Sequence, residues 1–310
     1  MPSVDLLLAT YNSEKFLVPL LESLIAQSQS DFRLLVSDDC SSDATPAILD
    51  EFRPRFAEME VVRRDLPSGS AKANFASLLE TSDADYALFV DADDVWDADK
   101  VAVTVGRLAA CEARFGSDTP VYVFTDARIV DGAGALTHDS FWRYKRMDPA
   151  RGFTPACALV CPPMLGCLSG INRALKMAAS PLPLDDITGH DWWLLLVAAF
   201  CGRAEAIDTV TASYRIHGDN ASNQRPVDIA SYAASPDRRE RVRRGIELRR
   251  RQAEALLAHC GNAMPNDKRT MLERFAAIDR AGWLEKRRLL LGERMLYPDW
   301  QRNLAMLLAA

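Results

Sequence analysis

Residues 86–96 read YALFVDADDVW, an apolar run that ends in Asp91, Asp93 and Asp94. Carboxylates so crowded repel one another and are costly to desolvate, so a cation or a hydrogen-bonding role must offset them. Mg2+ or Mn2+ would do so. Both take oxygen ligands, and Mg2+ typically uses one or two protein carboxylates together with substrate phosphates. Capping by Asp94 or Asp97 of the long helical pattern that follows accounts for the same residues equally well. A second acidic stretch, SDDCSSD at 37–43, could accept from the imide N–H of uracil or thymine, or cap the next helix. In TGHDWWLLLVAAF at 188–200, Asp191 stands directly before an apolar helix. It is placed either to cap that helix or to take a proton from an acceptor hydroxyl, and His190 could serve as the base equally well. YRIHGDN at 214–220 sets Arg215 and His217 on one side of an extended segment. There they could face a leaving diphosphate, complete a metal site, or form ordinary polar surface.

These residues need elements to position them, and the first 130 residues supply an alternation of the right kind. VDLLLAT (4–10), FRLLVSD (32–38), MEVVRR (59–64), YALFVD (86–91) and VYVFTDARIV (121–130) read as strands. Between them lie helical patterns: one with Phe16, Leu20, Leu21, Leu24 and Ile25 on one stripe, one starting with Asp43 as N-cap, one through Phe75, Leu78 and Leu79, and one in DADKVAVTVGRLAACEARF. Alternation of this sort predicts an α/β fold, a mostly parallel sheet flanked by helices. In such sheets ligands bind beyond the carboxyl ends of the strands, where ATYNSE (9–14), SDDCSSD and DADD all fall. Residues 131–190 are rich in Gly, Pro and aromatics and read as loop-dominated. A further strand, AIDTVTASY, precedes YRIHGDN.

Composition narrows the function classes. The chain has 310 residues and a formal net charge of −6. Residues 235–310 hold 17 Lys and Arg against 10 Asp and Glu, which makes that segment +7 and the remainder −13. The start, MPSVDLLLATYN, carries no basic n-region, so no signal peptide is expected. The longest apolar run, WWLLLVAAFC at 192–201, is roughly half of what a membrane span needs. Seven cysteines without paired spacing suit a reducing compartment. Cys157, Cys161 and Cys167 read as buried small hydrophobes rather than zinc ligands. The expected location is cytoplasmic. No GxGxxG or GxxxxGK[ST] motif occurs, which argues against a dinucleotide site and an NTPase, and no nucleic-acid partner is expected.

The motifs in order, TYNSEKFLVPLLESLIAQS, SDDCSSDAT, GSAKANF and LFVDADDVWDADKV, resemble the donor half of family 2 glycosyltransferases, which have a GT-A fold. FWRYKRMDP, MLGCLSGINRAL, GHDWWLLLVAAFCG and YRIHGDN look like the bacterial rhamnosyltransferase-type branch of surface polysaccharide assembly. The resemblance covers roughly residues 3–225. It implies that Thr10, Tyr11, Asn12 and Glu14 line a nucleotide pocket and that Asp39, with Asp38 beside it, accepts from the pyrimidine N3–H. It further implies that Asn74 sits near the base or ribose, and that Asp91 and Ala92 touch the ribose side or a metal-bound water. Asp93 would be the direct ligand of Mg2+ or Mn2+, with Asp91 and His217 as further metal contacts. Asp191 would be the catalytic base of an inverting single displacement. Arg215, His190, Trp192 and Trp142 would be diphosphate or acceptor contacts. The donor would be a dTDP- or UDP-linked sugar, rhamnose being favoured, and the acceptor a glycan or lipid-linked sugar. Cys40, Ser42 and Ala73 depart from the Gly, Thr and Arg commoner at those places in the family.

The expected organisation is a catalytic domain over 1–234, with a donor-binding region over 1–130 and an acceptor-side region over 131–234, followed by a basic helical subdomain over 235–310. Those basic helices either pack on the catalytic body, their arginines pairing with its acidic surface, or dock on an anionic cytoplasmic leaflet. Two other classes compete with transfer. A sugar-nucleotide nucleotidyltransferase would need a Gly-rich phosphate loop after the first strand, and LLATYNSEKF contains no glycine. A catalytically inactive, transferase-like interaction module would have no need of both Asp93 and Asp191.

Overall fold

A computed structural model of the chain describes residues 2–149, 153–218, 238–298 and 300–309. Four parallel strands open the fold: β1 (Val4–Thr10), β2 (Arg33–Asp38), β3 (Met59–Arg63) and β4 (Tyr86–Asp91). They lie in the order β3-β2-β1-β4. β1, β2 and β4 are buried along almost their whole length, which is why they read as continuous apolar runs and not as alternating ones. Helices α1 (Glu14–Ile25), α2 (Thr45–Phe52), α3 (Ala71–Thr81) and α4 (Lys100–Phe115) connect and cover them. α1 buries Leu17, Leu20, Leu21 and Leu24, close to the predicted stripe, while Phe16 stays half-buried at the site end.

The rest of the sheet departs from simple alternation. A two-residue strand, β5 (Val95–Trp96), and the long β6 (Val121–Asp131) follow β4, and β7 (Leu136–His138) pairs with β6. The segment 131–190 then forms short helices α5 (Phe141–Tyr144), α6 (Pro155–Val160) and α7 (Arg173–Ala179), and a buried strand β8 (Ser169–Asn172). β8 enters antiparallel between β4 and β6. Gly170 allows this insertion: a Cβ there would stand 2.6 Å from Thr104 Cγ2 of α4 and 3.3 Å from Leu88 Cγ of β4. Asn172 fastens the strand end, its amide donating to Glu112 Oε1 and Thr119 O while its Oδ1 accepts from the Val121 and Leu175 N–H groups. After α8 (His190–Cys201), β9 (Arg203–Ile216) runs parallel to β6 and antiparallel to β5. The β5–β9 pairing carries the acidic turn after β4 toward Arg215 and His217.

Two capping expectations change. α4 begins at Lys100 with Asp99 as N-cap and no side-chain cap bond. Asp97 instead pairs with Arg128 through two bonds of 2.7 and 2.9 Å, and Asp94 is buried against β9, so neither caps this helix. Asp43 sits one place before the N-cap Ala44 but still accepts the Thr45 N–H at 2.9 Å.

The C-terminal segment is helical: α9 (Arg238–Cys260), α10 (Asn266–Ala276), α11 (Trp283–Gly292) and α12 (Trp300–Ala309). The expected boundary at 234/235 lies outside the described residues. Ala253, Leu256, Leu272 and Phe275 join the same hydrophobic core as the sheet and its flanking helices. Polar contacts add to this: Thr188 N–H to Gln252 Oε1, Arg249 Nε to Val160 O and Lys268 Nζ to Ala199 O. The ion pairs of Arg250, Arg269 and Arg274 run to Glu247, Glu254, Glu273 and Glu293 within the segment, not to the acidic body. Among the described residues no helix is long and apolar enough to cross a membrane.

Candidate active site at the carboxyl end of the sheet

The turns after β1 and β2 are tied crosswise into one platform. Thr10 Oγ1 donates to Asp38 Oδ1 at 2.9 Å, and Ser41 donates to both Asp38 oxygens. Asn12, in the left-handed region at φ 47°, accepts the Ser42 N–H. Glu14 Oε2 accepts from Ala44 N, and Asp43 Oδ2 accepts from Glu14 N. The side chains of Thr10, Asn12, Glu14 and Asp38 are thus engaged in shaping the two turns. Asn12 and Glu14 remain exposed beside these bonds, at the strand ends where nucleotide contacts were expected. Tyr11 is likewise exposed there, at 63 %.

Asp39 lies beside this platform, and its two oxygens accept from Ser68 N at 2.6 Å and Ser68 Oγ at 2.8 Å. Asn74, on α3, donates to Ser37 O at 3.0 Å while its buried Oδ1 has no hydrogen-bond partner. Each carboxylate oxygen has more than one acceptor direction, so Asp39 keeps capacity for a further donor.

The acidic turn after β4 is held from β9. Arg215, 7 % exposed, donates from Nε to Asp93 O at 2.9 Å, and its backbone N–H meets Asp94 Oδ1 at 3.0 Å. Its Nη1 makes longer contacts to Asp131 O and Gly132 O, and its guanidinium covers the Phe16 ring at 4.9 Å. Arg215 thus braces the acidic turn through backbone carbonyls, beside its expected place at a diphosphate. His217 Nε2 lies 2.8 Å from Asp93 Oδ2, and its ring packs at 4.7 Å on Phe16.

Charge in this turn is poorly compensated. Burial, reinforced by the Asp93 and Asp191 carboxylates, pushes Asp91 up to about 7. Burial, with Asp93 and Asp91 adding, also raises Asp94 well above the carboxylate range. Asp94 Oδ2 is buried without a hydrogen-bond partner of normal geometry, and ligand atoms of Asp91, Asp94 and Cys167 lie within 4.8 Å of one another. Lys100, almost fully buried, sits 3.4 Å from the hydroxyls of Thr125 and Thr211, and burial pushes it down to about 8. This excess of carboxylate is the setting a divalent cation relieves. The oxygen and imidazole donors of Asp93 and His217, with Asp91 behind them, fit Mn2+ or Mg2+. The thiol of Cys167, buried and driven to its protonated form by burial and the neighbouring carboxylates, does not belong to a hard-ion ligand set.

Asp191 is the second residue of α8, which Gly189 caps. It is half-buried, and its Oδ1 accepts its neighbour Trp192 N–H at 2.8 Å. Gly166, beside Cys167, leaves room for it: a Cβ there would stand 3.1 Å from both Asp191 Cβ and Oδ2. Asp191 is thereby brought to the same strand end as Asp91. His190 goes the other way, into the core. It is 8 % exposed, stacks at 4.1 Å on Phe75 and has a buried Nε2 without a partner. Trp142 is 5 % exposed with its indole N–H on Pro163 O. Both therefore pack largely inside the protein. Trp192 is half-buried, its N–H on Ala158 O and its ring under Arg249. Ala92 is half-buried in the acidic turn.

Sequence reasoning does not single out Phe16, Ser68, Cys167 or Lys100 for the site. Phe16 reads as a member of a helix stripe, and the other three become neighbours of the site only through long-range pairing.

Comparison with known proteins places this geometry. The model of the family "Glycosyl transferase family 2" matches residues 5–179. The dTDP-rhamnosyl transferase RfbG of Shigella flexneri is 28 % identical over 223 residues, covering 69 % of this chain and 72 % of that protein. The putative teichuronic acid biosynthesis glycosyltransferase TuaG of Bacillus subtilis (strain 168) is 31 % identical over 100 residues, covering 32 % of this chain and 39 % of that one. Residues 1–349 of Staphylococcus aureus TarS, solved in complex with UDP, superpose with a TM-score of 0.56 at 20 % identity over 89 % of this chain and 70 % of that one. The mannosyltransferase PcManGT from Pyrobaculum calidifontis, solved with GDP-Man and Mn2+, gives 0.52 at 18 % identity over 94 % and 86 %. These structures share the fold, an α/β GT-A architecture as the motifs led one to expect.

Proposed function

The chain belongs to glycosyl transferase family 2, and on that premise we propose that it moves a sugar, rhamnose being favoured, from a dTDP- or UDP-linked donor to a glycan or lipid-linked acceptor of a bacterial surface polysaccharide. The observation that carries this reading is the meeting of Asp91, Asp93 and His217 with Asp191 at one end of the sheet. Asp191 packs on Gly166, and ligand atoms of the adjoining Cys167 lie within 4.8 Å of those of Asp91 and Asp94. The similarity to a dTDP-rhamnosyl transferase over 69 % of the chain supports the choice of sugar.

In this reading Tyr11 faces the nucleoside, and Asp39, held by Ser68, accepts from the pyrimidine imide. Asp93 and His217 hold Mg2+ or Mn2+, with Asp91 alongside; when bound, the ion supplies electrostatic stabilisation to the diphosphate leaving group. Asp191 takes the proton from the acceptor hydroxyl while that oxygen bonds to the anomeric carbon. The bond from that carbon to the diphosphate breaks on the opposite face, so configuration inverts. The test is Asp191→Asn with a panel of dTDP- and UDP-sugars and an acceptor glycan in Mn2+. Transfer should be abolished while nucleotide binding by calorimetry stays intact; near-normal turnover would remove Asp191 from the role of base.

The C-terminal helices belong to the same proposal. α11 exposes Trp283, Leu284 and Leu291, and α12 exposes Trp300 and Leu304. Arg287 covers the Trp283 ring at 3.8 Å and donates to Leu307 O, which joins the two helices. Exposed Trp and Leu among basic residues suit an anionic lipid surface, and the segment's net charge of +7 complements it. The enzyme would then work at the inner face of the plasma membrane. Flotation with vesicles containing phosphatidylglycerol should carry the protein at low salt and fail for Trp283→Ser/Trp300→Ser. Equal flotation of both proteins, or none, would refute the surface.

A further inference from the structure

Two cysteines from distant regions of the chain meet where the C-terminal helices join the catalytic body. Cys201 is the last residue of α8, the helix that begins next to Asp191, and Cys260 is the last residue of α9. Their Sγ atoms are 3.1 Å apart, although the residues are separated by 59 positions. Both side chains are half-buried, so a small reagent has a route to them. Their other contacts, Cys201 Sγ to Cys260 O at 3.9 Å and Cys260 Sγ to Leu256 O at 3.5 Å, are long and weak. We propose that Cys201 and Cys260 are a reversible dithiol–disulfide site, which on oxidation clamps α9 to the catalytic body.

The geometry favours this pair over the other five cysteines. A disulfide needs an S–S distance of about 2.05 Å, a closure of about 1 Å from the present separation. Cys111, Cys161 and Cys167 are buried. Cys40 donates to Arg64 O at 3.2 Å, and Cys157 points to the carbonyl of Cys161. Lys268, whose Nζ bonds Ala199 O in the last turn of α8, brings positive charge to the same corner. The Lys268 ammonium, held at the last turn of α8, stabilises a thiolate at this corner, and Cys201 on that same turn is taken as the attacking one.

The oxidant is a low-molecular-weight disulfide. The Cys201 thiolate attacks one of its sulfurs, a mixed disulfide forms, and one small thiolate leaves. Cys260, losing its proton to solvent, attacks Cys201 Sγ and expels the second small thiol. Two protein thiols are oxidised and one small disulfide is reduced to two thiols. The consequence reaches the site through α9, whose Gln252 accepts the Thr188 N–H three residues before Asp191.

The experiment uses the full chain and oxidised glutathione. After incubation the protein is unfolded in guanidinium with excess alkylating reagent, so that buried free thiols react too, and is examined by intact mass and non-reducing peptide mapping. The expected result is alkylation of five of the seven cysteines, a peptide linking Cys201 to Cys260, and full reversal by dithiothreitol. Cys201→Ser and Cys260→Ser should instead lack the cross-link and accept at most a glutathione adduct on the remaining thiol. Oxidised wild type should melt several degrees higher than reduced protein, and neither variant should shift. Seven alkylated cysteines, or glutathione adducts on wild type without a cross-link, would overturn the site. A cross-link that leaves the melting midpoint unchanged would overturn the clamp.

Discussion

Replacing Arg215 by Met separates two roles that the same residue could have at this site. The guanidinium is almost fully covered and donates to Asp93 O at 2.9 Å, with longer contacts at 3.4 and 3.5 Å to Asp131 O and Gly132 O. Methionine keeps much of the apolar stem but leaves the Asp93 carbonyl without its charged donor, a loss of about 1.5–3 kcal/mol for one such bond. The cation over Phe16 adds about 0.5–1 kcal/mol. The two long contacts add little, so the variant should be about 3 kcal/mol less stable than the parent. Urea unfolding followed by tryptophan fluorescence, without nucleotide or metal, measures this directly. Donor KM should rise as well, because the turn carrying Asp93 loses its support. Stability within about 0.5 kcal/mol of the parent, together with a raised donor KM, would refute the argument. The guanidinium would then act on the diphosphate and not on the turn.

Two other perturbations read different regions of the site. His190 is held neutral by burial, its pKa below the ordinary value despite the pull of Asp191. The unfolded chain takes up a proton near pH 6.5 that the folded chain refuses, so this residue costs stability as pH falls below that value, by up to about 1.4 kcal/mol per unit. His190→Phe should flatten the fall between about pH 6.5 and 5.5; parallel pH curves for the two proteins would contradict it. Tyr11→Ala should weaken UDP or dTDP binding by about 1–3 kcal/mol through lost stacking while leaving the unfolding midpoint unchanged. An unaltered calorimetric affinity would take Tyr11 out of the donor site.

What could be read in advance followed local periodicity. β4 spans Tyr86–Asp91, the residues the apolar run marked, and β1 matches likewise. The polar ends of β1, β2 and β4 do gather at one edge, because parallel pairing brings successive carboxyl ends together. β8 was not legible: four residues, two of them Ser and Gly, carry no period, and their burial comes from β4 and β6 on either side. Side-chain direction was the other blind spot. Thr10, Asp38 and Arg215 stand where a ligand would be contacted, yet hydrogen bonds made across 28 or more positions turn them toward protein partners. Spacing alone could not distinguish that from the exposed placement of Tyr11.

The position of β8 bears on the order in which the molecule can come together. β4 and β6 have no ladder with each other; each pairs with β8, which the ribosome completes only at residue 172. Residues 1–130 therefore hold β4 and β6 as two unjoined edges, and β6 gains its other long neighbour, β9, later still. A nascent chain must keep both strands open until β8 has been made, the kind of exposed edge that invites misassembly. Closing the sheet and bringing Arg215 and His217 onto Asp93 are thus late steps. The acidic turn after β4 is finished after its own strand has long been synthesised.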